Sequence, residues 1–254
     1  LPYVNGGIFS ENIGIVSCDA DALIRLIKCS SFDWSEISAS VFGSLFQGVM
    51  NEKERRQLGA HYTSELNILK VINSLFLDEL NIEFDKVKYD PKKLDVFHKK
   101  LSELKFLDPA CGCGNFLVVA YRELRKLELE VLIQKEKNGE LMLVSAEDLS
   151  LINVNQFYGI EIEESPTLIA RVAMYLVDHQ MNNELSKLFG KIYARIPLRE
   201  PATIVKADAL ITDWESVVPK NKLSYILGNP PFVGSKLMSE KDRKNLVAVF
   251  DNNS

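Results

Sequence analysis

The stretch Leu107-Asp108-Pro109-Ala110-Cys111-Gly112-Cys113-Gly114-Asn115-Phe116-Leu117 restricts what this chain can fold into more than any other part of it. An apolar run carrying Leu104, Phe106 and Leu107 ends in the carboxylate of Asp108, and a helical pattern begins near Asn115. Between them, Gly112 and Gly114 let the backbone turn tightly and come close to a ligand. The same residues also suit a plain strand-to-helix turn, because glycine is ordinary loop punctuation. The spacing Asp-x-x-x-Gly-x-Gly differs from the dinucleotide fingerprint, in which three glycines receive a pyrophosphate at a helix N-terminus.

Strands are predicted over 105–108, 157–162, 203–207 and 224–228, alternating with helical patterns. This alternation indicates an α/β fold with a doubly wound, mainly parallel sheet covered on both faces. Right-handed crossovers then place ligands at the carboxyl ends of the strands, where the motifs of this chain fall. The connection holding Asp213, Trp214 and Pro219 is read as lying outside the core. Ahead of the sheet, Ile37, Val41, Phe42, Leu45, Phe46 and Val49 fall at helical spacing and predict a helical entry segment, with Asp33 or Ser35 as cap. Thr63 or Ser64 caps a second predicted helix with the apolar face Ile68, Val71, Ile72, Leu75 and Phe76. Asp90-Pro91 opens a third through Leu94, Phe97, Leu101 and Leu104, since aspartate caps well and proline suits the first helical position. Ser165-Pro166 starts a further helix through Ile169, Val172, Ala173 and Leu176, and 128–147 reads as an elaborated helix and insertion.

With 254 residues and 46% hydrophobic composition, the chain can bury one substantial core, which argues against disorder. Its net charge of -5 speaks against a surface that grips phosphate everywhere by bulk electrostatics, while leaving room for a local basic groove. The densest cationic region (Lys86, Lys88, Lys92, Lys93, Lys99, Lys100, Lys105) is interleaved with Asp85, Asp90, Asp95 and Glu103. A solvated helix face explains that pattern better than phosphate contact does. Cys18, Cys29, Cys111 and Cys113 form no Cys-x-x-Cys pair and only three histidines are present, so no metal site is expected. Reduced thiols and the lack of a signal peptide or membrane-length apolar run fit a cytoplasmic protein. Beginning at Leu1 and stopping at Ser254, the chain reads as an internal piece of a longer protein.

Glu161, in Tyr158-Gly159-Ile160-Glu161-Ile162-Glu163, closes the second predicted strand, where an acidic side chain commonly accepts from ribose hydroxyls. Its separation from the glycines exceeds the usual spacing of about 20 residues, an excess attributed to the insertion. Asp208, after the third strand, suits either an adenine amino group or a turn cap. Cys111 and Cys113 read as compact packing residues. The last strand ends in Asn229-Pro230-Pro231-Phe232. Its prolines hold Asn229 extended and set the direction of the Pro230 carbonyl, and Phe232 offers a flat face for an unstacked base. An ordinary strand-ending turn has the same composition.

Together the two motifs resemble the cofactor and catalytic motifs of S-adenosylmethionine-dependent amino methyltransferases that act on adenine N6 in DNA. Arg56-Gln57-Leu58-Gly59-Ala60-His61-Tyr62-Thr63-Ser64 resembles the amino-terminal cofactor motif of the gamma class, in which it precedes the glycine loop and Asn-Pro-Pro follows. The order is the same here. With Leu1-Pro2-Tyr3-Val4-Asn5-Gly6-Gly7 and Val41-Phe42-Gly43-Ser44-Leu45-Phe46, the likeness extends to MmeI-type combined restriction and modification enzymes. The resemblance implies a Rossmann-like class I methyltransferase core over 56–254, incomplete at its C-terminus, behind a helical connector over 1–55. It implies S-adenosyl-L-methionine as cofactor, with Tyr62, Thr63, Asp108, Pro109, Ala110, Gly112, Gly114, Asn115, Phe116, Glu161, Ile162, Asp208 and Ala209 around it. Asn229, Pro230, Pro231 and Phe232 would hold a flipped adenine, and His61 takes no acid-base role. It further implies double-stranded DNA as partner of the full-length protein, with nuclease and target-recognition domains elsewhere in that chain. The nuclease carboxylates and lysine are absent from the residues at hand, so cleavage is not assigned to them.

Three other readings compete. A protein glutamine methyltransferase faces the same electronic problem and uses the same Asn-Pro-Pro device, but it usually ends in tyrosine and lacks Gly-Ala-His-Tyr-Thr. An RNA adenine methyltransferase is the second. A noncatalytic, cofactor-sensing subunit is the third, and intact Asn229 and Phe232 speak against it.

Overall fold

A computed structural model describes residues 17–32, 37–38, 41, 43, 63–139, 149–189, 201–231, 238 and 240–251. His61, Tyr62, Phe232 and most of the predicted entry helix lie outside the described residues. A first helix, α1 (Ala20–Ser30), is capped by Asp19, whose side chain accepts from the Ala22 amide.

Among the described residues, four strands make the sheet: β1 (Phe106–Asp108), β2 (Phe157–Glu161), β3 (Thr203–Lys206) and β4 (Tyr225–Ile226). They pair in the order β3-β2-β1-β4, all parallel. Phe106 is level with Phe157 on one side and Tyr225 on the other. The ladders are shorter than the apolar runs, so the predicted ends Lys105, Ile162, Ala207, Ser224 and Gly228 fall just outside them. Leu227 nonetheless donates its amide to the Leu107 carbonyl at 2.9 Å, carrying β4 to the level of the glycine loop.

Alternation along these short strands sorts side chains between two faces. Phe106, Phe157 and Ile204 enter the main core, where the Phe106 and Phe157 rings stack at 4.7 Å and Tyr121 meets Phe157 edge-on. Leu107 and Ile160 point the other way, into a smaller cluster with Val218, Tyr158, Val205 and Trp214. The crossovers follow from this division. Helix α5 (Asn115–Lys137) joins β1 to β2, and α6 (Glu164–Phe189) joins β2 to β3, both contributing to the main core. The step from β3 to β4 passes over the other face. Among the described residues its cover is the connection itself, with a 3-10 turn at Trp214–Ser216 and Val218 almost wholly buried. The sequence reading took Asp213, Trp214 and Pro219 as a connection and not a core element; they do lie in a connection, from which Val218 and the partly buried Trp214 still pack into the smaller cluster.

After α1, three further helices among the described residues precede β1: α2 (Glu65–Ile72), α3 (Asp78–Val87) and α4 (Pro91–Glu103), with a π-helical turn (Asn73–Leu77) joining the first two. Ile68, Ile72, Phe76, Leu80 and Phe84 are buried, a strict period of four. An α-helix drifts by about 40° over four residues, so such a stripe would wind off the core. The wider π turn takes up that drift. Val71 and Leu75, predicted on the inner face, are instead 43% and 37% exposed, because period four won over 3.6. Helix α4 begins as predicted, with Asp90 accepting from Lys93 N and Pro91 in the first turn. Lys88, Lys93 and Lys100 pair with Asp85, Asp90 and Glu83, consistent with a solvated, charge-balanced surface.

Behind the sheet, α4, α5 and α6 share a buried polar cluster. Arg125 donates to Tyr121 Oη at 2.7 Å, Asp178 Oδ1 at 3.2 Å and Asn182 Oδ1 at 3.0 Å. Its Nε lies 3.0 Å from Glu128 Oε2, an ion pair without hydrogen-bond direction. Glu128 also meets His98 Nε2 and accepts from Ser150 Oγ and the amides of Leu151 and Ile152. These bonds return the chain to the sheet just before β2.

Candidate active site at the strand-order reversal

Strand order reverses between β1 and β4, which opens a crevice at their carboxyl ends. Asp108 ends β1 inside it, 1% exposed, with Oδ1 accepting from Ala110 N at 3.0 Å. Among the described residues no cationic side chain pairs with it. Burial, opposed by the Ala110 amide and assisted by the nearby Glu161 charge, pushes its carboxyl up to about 7. Pro109 and Ala110 continue as a partly exposed turn. Gly112 and Gly114 both have positive φ, 53° and 82°, and a Cβ on Gly114 would sit 3.0 Å from the Ala170 Cβ. Both glycines are therefore required, one by the turn and one also by the approach of α6.

Glu161 at the end of β2 secures this loop. Its Oε2 accepts from Gly112 N and its Oε1 from Glu163 N, each at 2.9 Å. A carboxylate oxygen accepts more than one bond, so both keep a free lone pair. The β2 backbone helps, since Ile160 O accepts from Cys111 N. Burial pushes the Cys111 thiol far up and the Cys113 thiol to about 12, which makes both packing groups and not nucleophiles. Cys111 Sγ would lie 2.7 Å from a Cβ on Gly159, so β2 needs a glycine there.

The other candidates fall into two groups. Ile162 is 55% exposed beside the loop, open to a flat ligand. Asp208 accepts from Leu210 N through Oδ1 and lies 3.4 Å from Asn245 Nδ2, so its turn-capping alternative is realised at one oxygen. The Ala209 carbonyl accepts from Trp214 Nε1 at 2.8 Å. Phe116 is 5% exposed and belongs to the main core, as the loop residue Cys111 does. Asn115 has its amide against Gly43, whose Cβ would meet both terminal atoms at 2.7 Å, and its Oδ1 is buried without a partner among the described residues.

Across the crevice stand Asn229, Pro230 and Pro231, all exposed. Asn229 Nδ2 donates to Thr63 Oγ1 at 3.1 Å. Gly228, just ahead, has φ 149°, and a Cβ there would lie 2.4 Å from Asp108 Oδ1. The carboxylate of one motif thus occupies the space that a side chain of the other would fill. Sequence reasoning took Gly228 only as a strand end; its position directly before Asn-Pro-Pro was the available signal. The contact between Thr63 and Asn229 had none, since it joins residues 166 positions apart.

A doubly wound parallel sheet with a glycine loop after β1 and an Asn-Pro-Pro turn after β4 is the Rossmann-like fold of a methyltransferase. Residues 84–254 match the family model of the MmeI DNA-methyltransferase domain, and the chain belongs to that family. It is similar to a solved structure of the Type IIL restriction-modification enzyme MmeI in complex with DNA, at 52% identity and a TM-score of 0.92 over 99% of this chain and 33% of that one. DNA methyltransferase A of Bacillus subtilis (strain 168) is 37% identical over 98% of this chain and 28% of its own. The type II restriction enzyme and methyltransferase RM.Eco57I of Escherichia coli is 24% identical over 95% of this chain and 27% of its own. The chain therefore spans a third or less of the length of these relatives.

Proposed function

We propose that the chain transfers a methyl group from S-adenosyl-L-methionine to N6 of an adenine flipped out of double-stranded DNA. The observation that carries this reading is the contact of the two motifs: Asp108 lies against Gly228, so a donor held at the glycine loop sits beside Asn229. The residues present suit that donor. Its ammonium matches a buried carboxyl that pairs with no cation among the described residues, and its ribose hydroxyls match the spare lone pairs of Glu161. Pro109, Ala110, Gly112 and Gly114 shape the cradle; Ile162, Asp208 and Ala209 border it, with Tyr62 and Thr63 from the preceding segment. The bound cofactor supplies an electrophilic methyl group.

The exocyclic amine is a poor nucleophile because its lone pair is delocalised into the ring. Asn229 Oδ1 and the Pro230 carbonyl accept its two hydrogens, which favours a pyramidal nitrogen with its lone pair facing the methyl. No strong base is needed before attack. Pro231 keeps the turn rigid and Phe232 stacks on the flipped base, leaving alignment as the main source of rate. In the longer protein, residues 1–55 form a helical connector ahead of a methyltransferase core over 56–254, and nuclease and target-recognition domains supply cleavage and sequence choice in the cytoplasm.

The test is transfer of labelled methyl groups by the full-length protein to duplex DNA, RNA and protein side by side. Label in duplex DNA, recovered as N6-methyladenine, is expected. Label only in RNA or only in protein would overturn this reading in favour of the adenine or glutamine alternatives, and no label anywhere would favour a noncatalytic cofactor-binding subunit.

A further inference from the structure

We propose that Thr63 is a positioning residue for Asn229: its hydroxyl oxygen engages the Asn229 amide nitrogen and so commits the amide oxygen to the substrate amine. This rests on the methyl-transfer reading above. The observation is the bond from Asn229 Nδ2 to Thr63 Oγ1 at 3.1 Å. An asparagine side chain has an accepting end and a donating end of nearly equal shape. Towards an amine the two ends act oppositely. The oxygen accepts a hydrogen and leaves the nitrogen lone pair free for the methyl, whereas an amide N–H turned to the same place competes for that lone pair. Turnover therefore depends on which end faces the base.

Packing does not decide the matter at Asn229, which is exposed and follows a glycine. In the structure the choice is made at Thr63, whose hydroxyl, able to accept or donate, accepts from Nδ2 and leaves Oδ1 to the other side. Thr63 is suited to this because it stands just ahead of an anchored element: Ser64 holds the N-cap position of α2 without a side-chain cap bond, and Ile68 and Ile72 one and two turns later are fully buried. The hydroxyl is thus carried two residues ahead of a helix that is tied into the core. The segment holding Thr63 acquires a second task besides bordering the cofactor: it sets the amide orientation of the catalytic loop.

The experiment uses full-length protein with Thr63→Val, which keeps the shape and removes the acceptor, and Thr63→Ser, which keeps the oxygen. Single-turnover methyl transfer to duplex DNA at saturating cofactor is compared with cofactor affinity by calorimetry. For Thr63→Val we expect a fall in the rate at saturating cofactor of about 5- to 10-fold, the size of one uncharged hydrogen bond, over and above any loss of cofactor affinity that its place beside the cofactor brings. Thr63→Ser should restore most of the rate. If Thr63→Val does not fold, as judged by thermal melting, Thr63→Ala carries the same expectation. Three results overturn the proposal: an unchanged rate in Thr63→Val; a loss confined to cofactor affinity; or Thr63→Ser as slow as Thr63→Val, which would assign the effect to the methyl group. Wild-type protein that transfers no methyl to DNA would instead remove the underlying functional reading, and this proposal with it.

Discussion

Asp108 and Glu128 are both buried carboxyl groups, one at the carboxyl end of the sheet and one near its amino end, and they have opposite character. Burial would raise both. At Glu128 the His98 hydrogen bond, the Arg125 charge and the Ser150 hydroxyl outweigh it and bring the group to about 2. At Asp108 a single amide, that of Ala110, stands against burial and the Glu161 charge, and the group rises to about 7. Equal burial therefore carries no functional information by itself. What separates structural cement from a candidate site is how many donors the fold aims at the carboxylate.

The largest expected effect breaks the cement. Arg125→Met removes the guanidinium that Asp178 and Glu128 share and should cost about 3–5 kcal/mol of stability by denaturant titration; a loss within about 1 kcal/mol would show that the cluster is not held by its charges. Asn229→Ala, on the exposed side, should lower methyl transfer about 100- to 1000-fold with its melting temperature unchanged. Wild-type turnover in that variant would remove Asn229 from the mechanism.

Gly228→Ala should act on both motifs together. Its backbone is at φ 149° and the added Cβ meets Asp108 Oδ1 at 2.4 Å, so the carboxyl must shift. Cofactor affinity measured by calorimetry should fall, and the strain should cost about 1–3 kcal/mol of stability. Unchanged affinity would mean that Asp108 does not contact the ligand.

The effects of pH have opposite signs at the two carboxyls. Asp108 binds its proton more tightly when folded, so its contribution is fully present below about pH 4 and is lost as pH rises to about 7. Glu128 contributes above about pH 4.5, and that stability is lost as pH falls through about 2. Asp108→Asn should flatten the first slope and leave the second. Pairing with a ligand ammonium needs ionised Asp108, so cofactor affinity should rise with pH by at most about tenfold per unit and level off above about 7. A pH-independent affinity across that range would place the ammonium elsewhere.

How legible these two regions were in the sequence differs as well. The strand and loop around Asp108 announced themselves because an apolar run, a carboxylate and two glycines are adjacent in the chain, and the same holds for Asn229 with its prolines. Asp90-Pro91 gave the start of α4 for a similar local reason. The Glu128 cluster was hidden inside what read as an elaborated helix: its partners come from α4, α5, α6 and the stretch before β2, and no local pattern joins them. The π turn escaped because a period of four and one of 3.6 agree over one or two turns and diverge only beyond Ile72. Phe116, placed at the ligand by its motif position, also lies in the main core, which the motif alone did not announce.

The sheet order has a consequence for how the protein is made. Strand β4 lies beside β1, yet Tyr225 follows its register partner Phe106 only after β2 and β3 have been passed in the chain. The bond from Lys105 N to Ser224 Oγ spans 119 residues. At a synthesis rate of roughly 5–20 residues per second, that interval is roughly 6–24 s. During it β1 can pair with β2, and β2 with β3, before β4 has been made. The strand and glycine loop around Asp108 are thus synthesised before the turn that carries Asn229 exists. Pulsed hydrogen exchange on refolding protein should show amides at the β1–β2 ladder protected before Leu227, whose bond to Leu107 is the last stitch of the sheet.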